Sequence, residues 1–163
     1  MKNPAPRAAI INPLEIYSER LVLRPVNDSL RSFVFEGLSD HEVRYNMQMP
    51  TLDSPIIQND WWRRFSEWRS TGKAVQWCAF CSETDEYIGL ATIKEIEARH
   101  RRGEIGYSLL KKHWRKGYGR EMAARVLQYA FEEIDLHTVF AIVSPLNEGS
   151  QKIVKSLGLV QEG

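Results

Sequence analysis

Cysteine is scarce in this chain: Cys78 and Cys81 are the only two among 163 residues. They stand three apart in a segment that reads as a strand, and side chains at that spacing leave opposite faces of a sheet. The pair is badly placed to share a metal, and no second pair completes a four-ligand zinc set. Buried structural thiols are the expectation, which suits a reducing compartment. No apolar run approaches the roughly 18 residues that a membrane-spanning helix needs. Charge of one sign is also lacking, since 22 basic and 21 acidic side chains leave a formal charge of +1. That balance argues against non-specific nucleic-acid binding and against a basic membrane-surface protein. His41, His100, His113 and His137 are scattered, with no His-Glu-x-x-His and no Gly-x-Ser-x-Gly. They read as surface or structural side chains, and no metal site is expected.

What is present suits a single soluble domain, with 43% apolar and 26% charged residues. The first dozen residues carry Pro4 and Pro6 and lack the apolar core of a signal peptide. Residues 1–15 are therefore expected to be a flexible tail, and residues 16–163 one domain of a cytoplasmic protein. Arg20-Leu21-Val22-Leu23-Arg24 alternates as a half-buried strand does, and Pro25 stops it. Asp28 or Ser29 then caps a helix carrying Leu30, Phe33, Val34 and Leu38. Ser54-Pro55 opens a second helix with Ile57, Trp61, Phe65 and Trp68 along one face. Residues 74–81, 87–96 and 103–110 read as three strands of an antiparallel meander.

After them, Gly117-Tyr118-Gly119 opens an amphipathic helix with Met122, Ala123, Val126, Leu127, Ala130, Phe131 and Ile134 as its apolar stripe. Residues 138–143 form a β-branched and aromatic strand. Asn147 starts a last helix with Ile153, Val154 and Leu157 inward, which Gly158 ends as a left-handed cap. Another strand is expected to begin at Leu159. The order β-α-α-β-β-β-α-β-α makes the fold mixed α/β.

The sharpest motif is Trp114-Arg115-Lys116-Gly117-Tyr118-Gly119-Arg120-Glu121, between a strand and a helix. Glycines allow a tight turn and close approach of a ligand. The first helical turn offers unpaired N–H groups and the positive end of the dipole, a site for an anion such as a phosphate. Arg115, Lys116 and Arg120 add charge, with Lys111 and Lys112 just upstream. Met122 in place of a third glycine excludes a dinucleotide fingerprint, and no Gly-Lys-Ser/Thr marks a P-loop. Taken alone, the motif also fits a plain strand-to-helix turn with solvated basic residues.

Together with Glu104-Ile105-Gly106-Tyr107-Ser108-Leu109, this segment resembles the acetyl-coenzyme A-binding motif of the GNAT superfamily of N-acetyltransferases. Trp114 stands where the general pattern has Gln or Arg, as is usual in the ribosomal-protein alanine acetyltransferase-like (RimJ/RimL-like) branch. Ser18-Glu19-Arg20-Leu21-Val22-Leu23-Arg24-Pro25 is similar to that branch's opening strand. Asn147-Glu148-Gly149-Ser150, followed by Lys155-Ser156-Leu157-Gly158-Leu159, resembles its Asn-x-x-Ser … Lys-Leu-Gly-Phe signature. The likeness runs in the same order from about Ser18 to Gly163.

The resemblance implies a central, mostly antiparallel twisted sheet with splayed central strands, flanked by about four helices. It implies acetyl-CoA as co-substrate and direct acetyl transfer to a primary amine in a ternary complex. The amine belongs to a small molecule or a protein N-terminus. Tyr107, Ser108 and Leu109 would lie along the pantetheine arm, backbone groups of Tyr107 and Leu109 holding it. The N–H groups of Arg115, Lys116, Gly117, Tyr118, Gly119 and Arg120 would cradle the pyrophosphate. Asn147 would contact the arm, and Ser150 would protonate the departing thiolate; Val154 occupies the place where other members carry a tyrosine acid.

Glu104 is the candidate base, acting through water, and Glu121 reads as structural. Tyr45, Asn46 and Met47, in a loop between two helices, are candidate acceptor contacts. The resemblance further implies one or two strands beyond residues 159–163, whose absence from the chain would leave strand 138–143 with an open edge. Three readings compete with an active acetyltransferase: a catalytically impaired CoA-binding or interaction module, an enzyme for a different acyl-CoA, and, more distantly, a nucleic-acid-binding module. A monomer and a homodimer are both open; no membrane and no nucleic-acid partner is expected.

Overall fold

Three long strands set the frame, in a computed structural model that describes residues 8–163 apart from 48 and 50. They are β3 (Val75–Cys81), β4 (Tyr87–Glu97) and β5 (Arg102–Leu109), joined by polar turns as expected. Ahead of them come α1 (Ala8–Ile11), β1 (Ile16–Tyr17), β2 (Leu21–Pro25), α2 (Arg31–Ser39), α3 (His41–Asn46) and α4 (Pro55–Ser70). After them follow α5 (Tyr118–Glu132), β6 (Thr138–Phe140) and α6 (Glu148–Ser156). The six strands lie in sequence order, β1 to β6, antiparallel except for the parallel pair β5–β6. This is the mixed α/β sheet that the sequence led one to expect.

Alternation along the strands divides the interior in two. One face carries Leu21, Leu23, Trp77, Ile93 and Ile105 against Met122, Val126 and Tyr129 of α5. The other carries Cys78, Phe80, Tyr87 and Leu90 against Val34, Leu38 and Trp62 of α2 and α4. Cys78 lies in the second core while Cys81 packs against the first, so the two thiols do occupy opposite faces. Gly89 is forced by β5: a Cβ there would overlap the Ser108 carbonyl.

Several local expectations change. Residues 8–15 are packed rather than a loose tail: Ile10 is in the main core, and Leu14 C=O accepts from Trp77 Nε1 at 2.9 Å. Tyr129 Oη also donates to Ala9 C=O at 2.7 Å. Buried aromatic polar tips require partners, and this segment supplies them. The rest of the expected tail, residues 1–7, lies outside the described residues. Asn27, not Asp28 or Ser29, is the N-cap at the entrance to α2, with a 3₁₀ turn (Asp28–Leu30) between them. In α4, Ser54 caps and Pro55 opens as expected, but Trp62 is the buried residue while Ile57 and Trp68 are exposed.

In α5, Tyr129 is fully buried and Phe131 faces outward. Strand β6 stops at Phe140, and residues 159–163 form no strand. No helix among the described residues is long and apolar enough to cross a membrane.

Candidate active site

The sheet opens between β5 and β6. Their parallel ladder covers Arg102–Thr138, Gly103–Val139 and Glu104–Phe140, after which β5 runs on to Leu109 and the other chain departs. On its far side β5 stays on β4, with Ser108 opposite Leu90 and the Leu110 N–H donating to Ile88 C=O at 3.0 Å. An antiparallel ladder uses alternate residues, so Gly106 and Ser108 bond to β4 while Tyr107 and Leu109 turn their backbone groups to the gap. The Leu109 carbonyl is taken by the Trp114 indole, which donates to it at 3.1 Å. What faces the gap is therefore the Leu109 N–H and both backbone groups of Tyr107. A cleft of about 510 Å³ fills the space between this edge, α3, the loop before α5 and the start of α6.

The loop before α5 is shaped by two left-handed residues, Arg115 at φ 61° and Gly117 at φ 82°. Gly117 is the N-cap of α5 and lends no side chain to it; the first helical bond runs from Glu121 N–H to Gly117 C=O. The N–H groups of Tyr118, Gly119 and Arg120 thus have no partner within the helix, and they lie at the cleft with the positive end of the dipole. Gly119 has no room for a side chain: a Cβ would sit 3.0 Å from both Leu109 Cδ1 and Ile153 Cδ1. Its absence lets α5 start against β5 and α6.

The loop is tied from behind by a group that sequence reading passed over. Arg20 Nη1 donates to the Lys116 carbonyl at 2.9 Å, and its guanidinium lies 4.3 Å from the Tyr118 ring centroid. Arg20 Nε and backbone N–H also donate to the two oxygens of Glu121, each at 2.8 Å, and the Ser18 hydroxyl donates there too. Burial alone would push the Glu121 carboxyl up; these donors outweigh it and leave it below the usual carboxylate value. Glu121 is accordingly structural. The signal was present in Ser18-Glu19-Arg20, but its partner stands about a hundred residues away in the chain.

At the other wall, Asn147 caps α6 by accepting the Ser150 N–H at 3.0 Å. The Ser150 hydroxyl is 2.7 Å from the Tyr107 hydroxyl. Burial pushes the Tyr107 phenol up, against a smaller opposing effect of that hydrogen bond. His113, anticipated as surface or structural, is buried and lines the cleft, edge-on to Tyr118 with ring centroids 5.9 Å apart. Its burial holds the imidazole below its usual value.

Of the residues singled out from sequence, Tyr107, Ser108, Leu109, Arg115, Gly117, Tyr118, Gly119, Arg120, Asn147 and Ser150 line one cleft. Asn46 and Met47 join them, but not from a long loop: Asp40 caps α3, and Asn46 ends that helix with Met47 as its C-cap. Tyr45 is not among the cleft residues; it is exposed and stacked on His41. Lys116, expected among the cofactor contacts, does not line the cleft; its carbonyl accepts from Arg20 instead. Glu104 does not line the cleft. It lies where the β5–β6 pairing ends, buried, with Lys94 Nζ 3.3 Å from its carboxylate. Ile105 packs in the core on the α5 side, so alternation sends Glu104 to the opposite face. Among the described residues no cluster of three or more His, Cys, Asp or Glu side chains is suited to a metal.

Known proteins resemble this chain over most of its length. The uncharacterized N-acetyltransferase p20 of Bacillus licheniformis is 30% identical over 148 residues, which span 91% of this chain and 83% of that protein. The uncharacterized N-acetyltransferase YoaA of Bacillus subtilis is 27% identical over 90% of this chain and 82% of its own. Among solved structures, spermidine N-acetyltransferase from Vibrio cholerae, in complex with CoA and spermine, superposes with a TM-score of 0.80 at 20% identity. The match covers 90% of this chain and 84% of that one. A profile of the acetyltransferase (GNAT) domain matches residues 20–160. With most of its length so matched, the chain belongs to the GNAT acetyltransferase family, as an acetyl-CoA-dependent N-acetyltransferase.

Proposed function

We propose that the protein moves the acetyl group of acetyl-CoA to a primary amine by direct attack within a ternary complex. The observation that carries this reading is the coincidence, in one cleft, of a splayed strand edge and an uncapped helix N-terminus. The N–H groups of Tyr118, Gly119 and Arg120 suit a pyrophosphate, with Arg115 and Arg120 adding charge at the same wall. The Tyr107 backbone and the Leu109 N–H suit the amide groups of a pantetheine arm laid beside β5. An arm running from the loop along that edge brings its thioester toward the point where β5 and β6 separate.

There the amine attacks the thioester carbon, the carbon–sulfur bond breaks, and the thiolate takes a proton. Binding both reactants in register supplies much of the rate. Ser150 is our candidate for the donor of that proton. Glu104 is our candidate for the acceptor of the ammonium proton through water, working from the sheet face opposite α5.

Acceptors named for similar proteins guide the choice of amines. One relative, 32% identical over 47% of this chain, is the spermidine N(1)-acetyltransferase of Vibrio cholerae. The ribosomal-protein-S5-alanine acetyltransferase of Vibrio fischeri shares the fold, with a TM-score of 0.76. A small polyamine and an N-terminal alanine peptide are therefore the two amines to test first. Calorimetric titration with acetyl-CoA, with NADH as control, should show micromolar binding of the first alone, and thiol release should follow addition of an accepted amine. A folded chain that binds neither nucleotide overturns the reading.

A further inference from the structure

We propose that Tyr107 and Ser150 act as a pair, the phenol donating to the Ser150 oxygen so that the serine's own proton faces the cleft. This rests on the acetyl-transfer reading above and assigns a role to a side chain that the motif used only through its backbone. The hydroxyls are 2.7 Å apart, and geometry alone allows either to donate. Chemistry decides between them. A phenol is the better donor and an alkyl hydroxyl the better acceptor, and Ser150 has one proton, which cannot point both at Tyr107 and at a leaving group.

Both partners are held. Tyr107 is fixed by the register of β5, opposite Ala91, and a Cβ on Gly119 would lie 3.8 Å from its ring edge. Ser150 is the third residue of α6, its N–H bound by the Asn147 cap. The positive end of that helix favours negative charge developing in its first turn.

The pairing also answers a difficulty with serine as an acid. An efficient proton donor has an acidity close to that of the group it protonates. A free thiol ionises near 8.5 and a free phenol near 10; burial pushes the Tyr107 phenol up from there, yet it stays the stronger acid beside an aliphatic hydroxyl. In the proposed step the thioester carbon–sulfur bond breaks with its electron pair passing to sulfur. Ser150 gives its proton to that thiolate, Tyr107 gives its proton to the serine oxygen, and the resulting phenolate recovers a proton from water once the products leave. No oxidant or further reactant is needed. Tyr107 touches the reacting atoms only through Ser150 and is thus a positioning residue.

The test is Tyr107→Phe, which keeps the ring and removes the hydroxyl, beside Ser150→Ala and the double variant. With acetyl-CoA and an accepted amine, Tyr107→Phe should lower kcat by about tenfold or more while the KM for acetyl-CoA holds, general acid catalysis being worth about a hundredfold or more in full. The double variant should be little worse than Ser150→Ala, as for residues acting in one unit. With an acetyl thioester of an aromatic thiol, whose thiolate needs no proton to leave, Tyr107→Phe should lose far less relative to the parent than it does with acetyl-CoA. A purely structural role would slow both donors equally, so an equal loss overturns the proposal. Unchanged kcat with acetyl-CoA also overturns it, and then acetyl transfer by the parent chain stands untouched. If the parent chain transfers no acetyl group to any amine, the underlying reading falls and this one with it.

Discussion

Replacing Arg20 with methionine keeps a long side chain but removes the guanidinium that ties the residue just before β2 to the loop before α5 and to α5 itself. Three interactions vanish: the bond to the Lys116 carbonyl, the ion pair with Glu121, and the contact over the Tyr118 ring. The Arg20 and Glu121 side chains are 41% and 16% exposed, so the pair is only partly shielded from water. A hydrogen bond from a charged donor contributes about 1.5–3 kcal/mol when buried, and an exposed ion pair about 0–1 kcal/mol. A cation over an exposed ring adds roughly 0.5–1 kcal/mol.

Discounted for exposure, the whole tie comes to about 2 kcal/mol of stability, read as a lower midpoint in urea. The backbone N–H of Arg20 and the Ser18 hydroxyl remain on Glu121, so the fold should survive.

The more telling effect concerns the cofactor. With Lys116 C=O released, the left-handed turn at Gly117 loses its support, and the N–H groups at the head of α5 must be ordered by the ligand instead. An ordering cost of about 1–2 kcal/mol weakens binding by roughly 5- to 30-fold. Calorimetry with acetyl-CoA should show that loss in Arg20→Met. Turnover of S-acetylpantetheine, which has no pyrophosphate, should change by less than about twofold, because the β5 edge and Ser150 lie outside the tie. Equal losses with both donors would mean that Arg20 supports the whole domain, not the anion loop, and the reasoning would fail. Undiminished affinity for acetyl-CoA would refute it as directly.

The remaining expectations concern stability. Gly89→Ala places a methyl group into the Ser108 carbonyl between two central strands, so the chain should fail to fold or lose several kcal/mol, about the scale of severe overpacking, in a urea melt. Gly158→Ala offers the contrast: its Cβ meets open space and only the left-handed backbone (φ 88°) resists, at about 1 kcal/mol. Glu121→Gln should be less stable than the parent at neutral pH, with the gap closing in acid. A carboxyl held below its free value of 4.5 stabilises the fold above that pH and loses the contribution as pH falls through the depressed value. Urea midpoints at several pH values check this, and a gap that widens in acid would contradict it.

How much of this was legible in the sequence depends on the kind of constraint each residue answers to. Local rules read well: Ser54-Pro55 opened α4, Asn147 capped α6, and the three long strands fell within a residue or two of their places. Periodicity read less well where neighbours are alike. Trp61 and Trp62 are adjacent and equally apolar, and only packing against α2 and β3 decides that Trp62 goes in. Helix α3 was missed although Asp40 binds the N–H groups of Glu42 and Val43 as an N-cap does, because six residues are too few to show a period. The N-terminal segment looked loose because its partners, Trp77 and Tyr129, lie far along the chain.

The site itself divides along the same line. Its backbone parts announce themselves through glycine, because a position that must turn left-handed, as Gly117 does, or approach a neighbour closely, as Gly119 does, excludes side chains. Such exclusion is written at a single position and can be read there. Its side-chain parts act in pairs, Arg20 with Glu121 and Tyr107 with Ser150, separated by 101 and 43 residues. Each member has an ordinary local explanation: a strand-end charge, a first-turn carboxylate, a strand aromatic, a serine in a helix's first turn. Nothing nearby says that its real partner is elsewhere, so pairing appears only once the sheet brings distant segments together. That asymmetry bears on the chemistry we propose. The proposed anion loop can be inferred from its glycines in any chain that keeps them, whereas the proposed proton-donating pair depends on two hydroxyls whose meeting the fold alone creates. A chain with the loop intact and either hydroxyl lost should still hold acetyl-CoA and turn it over slowly, so binding and turnover have to be measured separately.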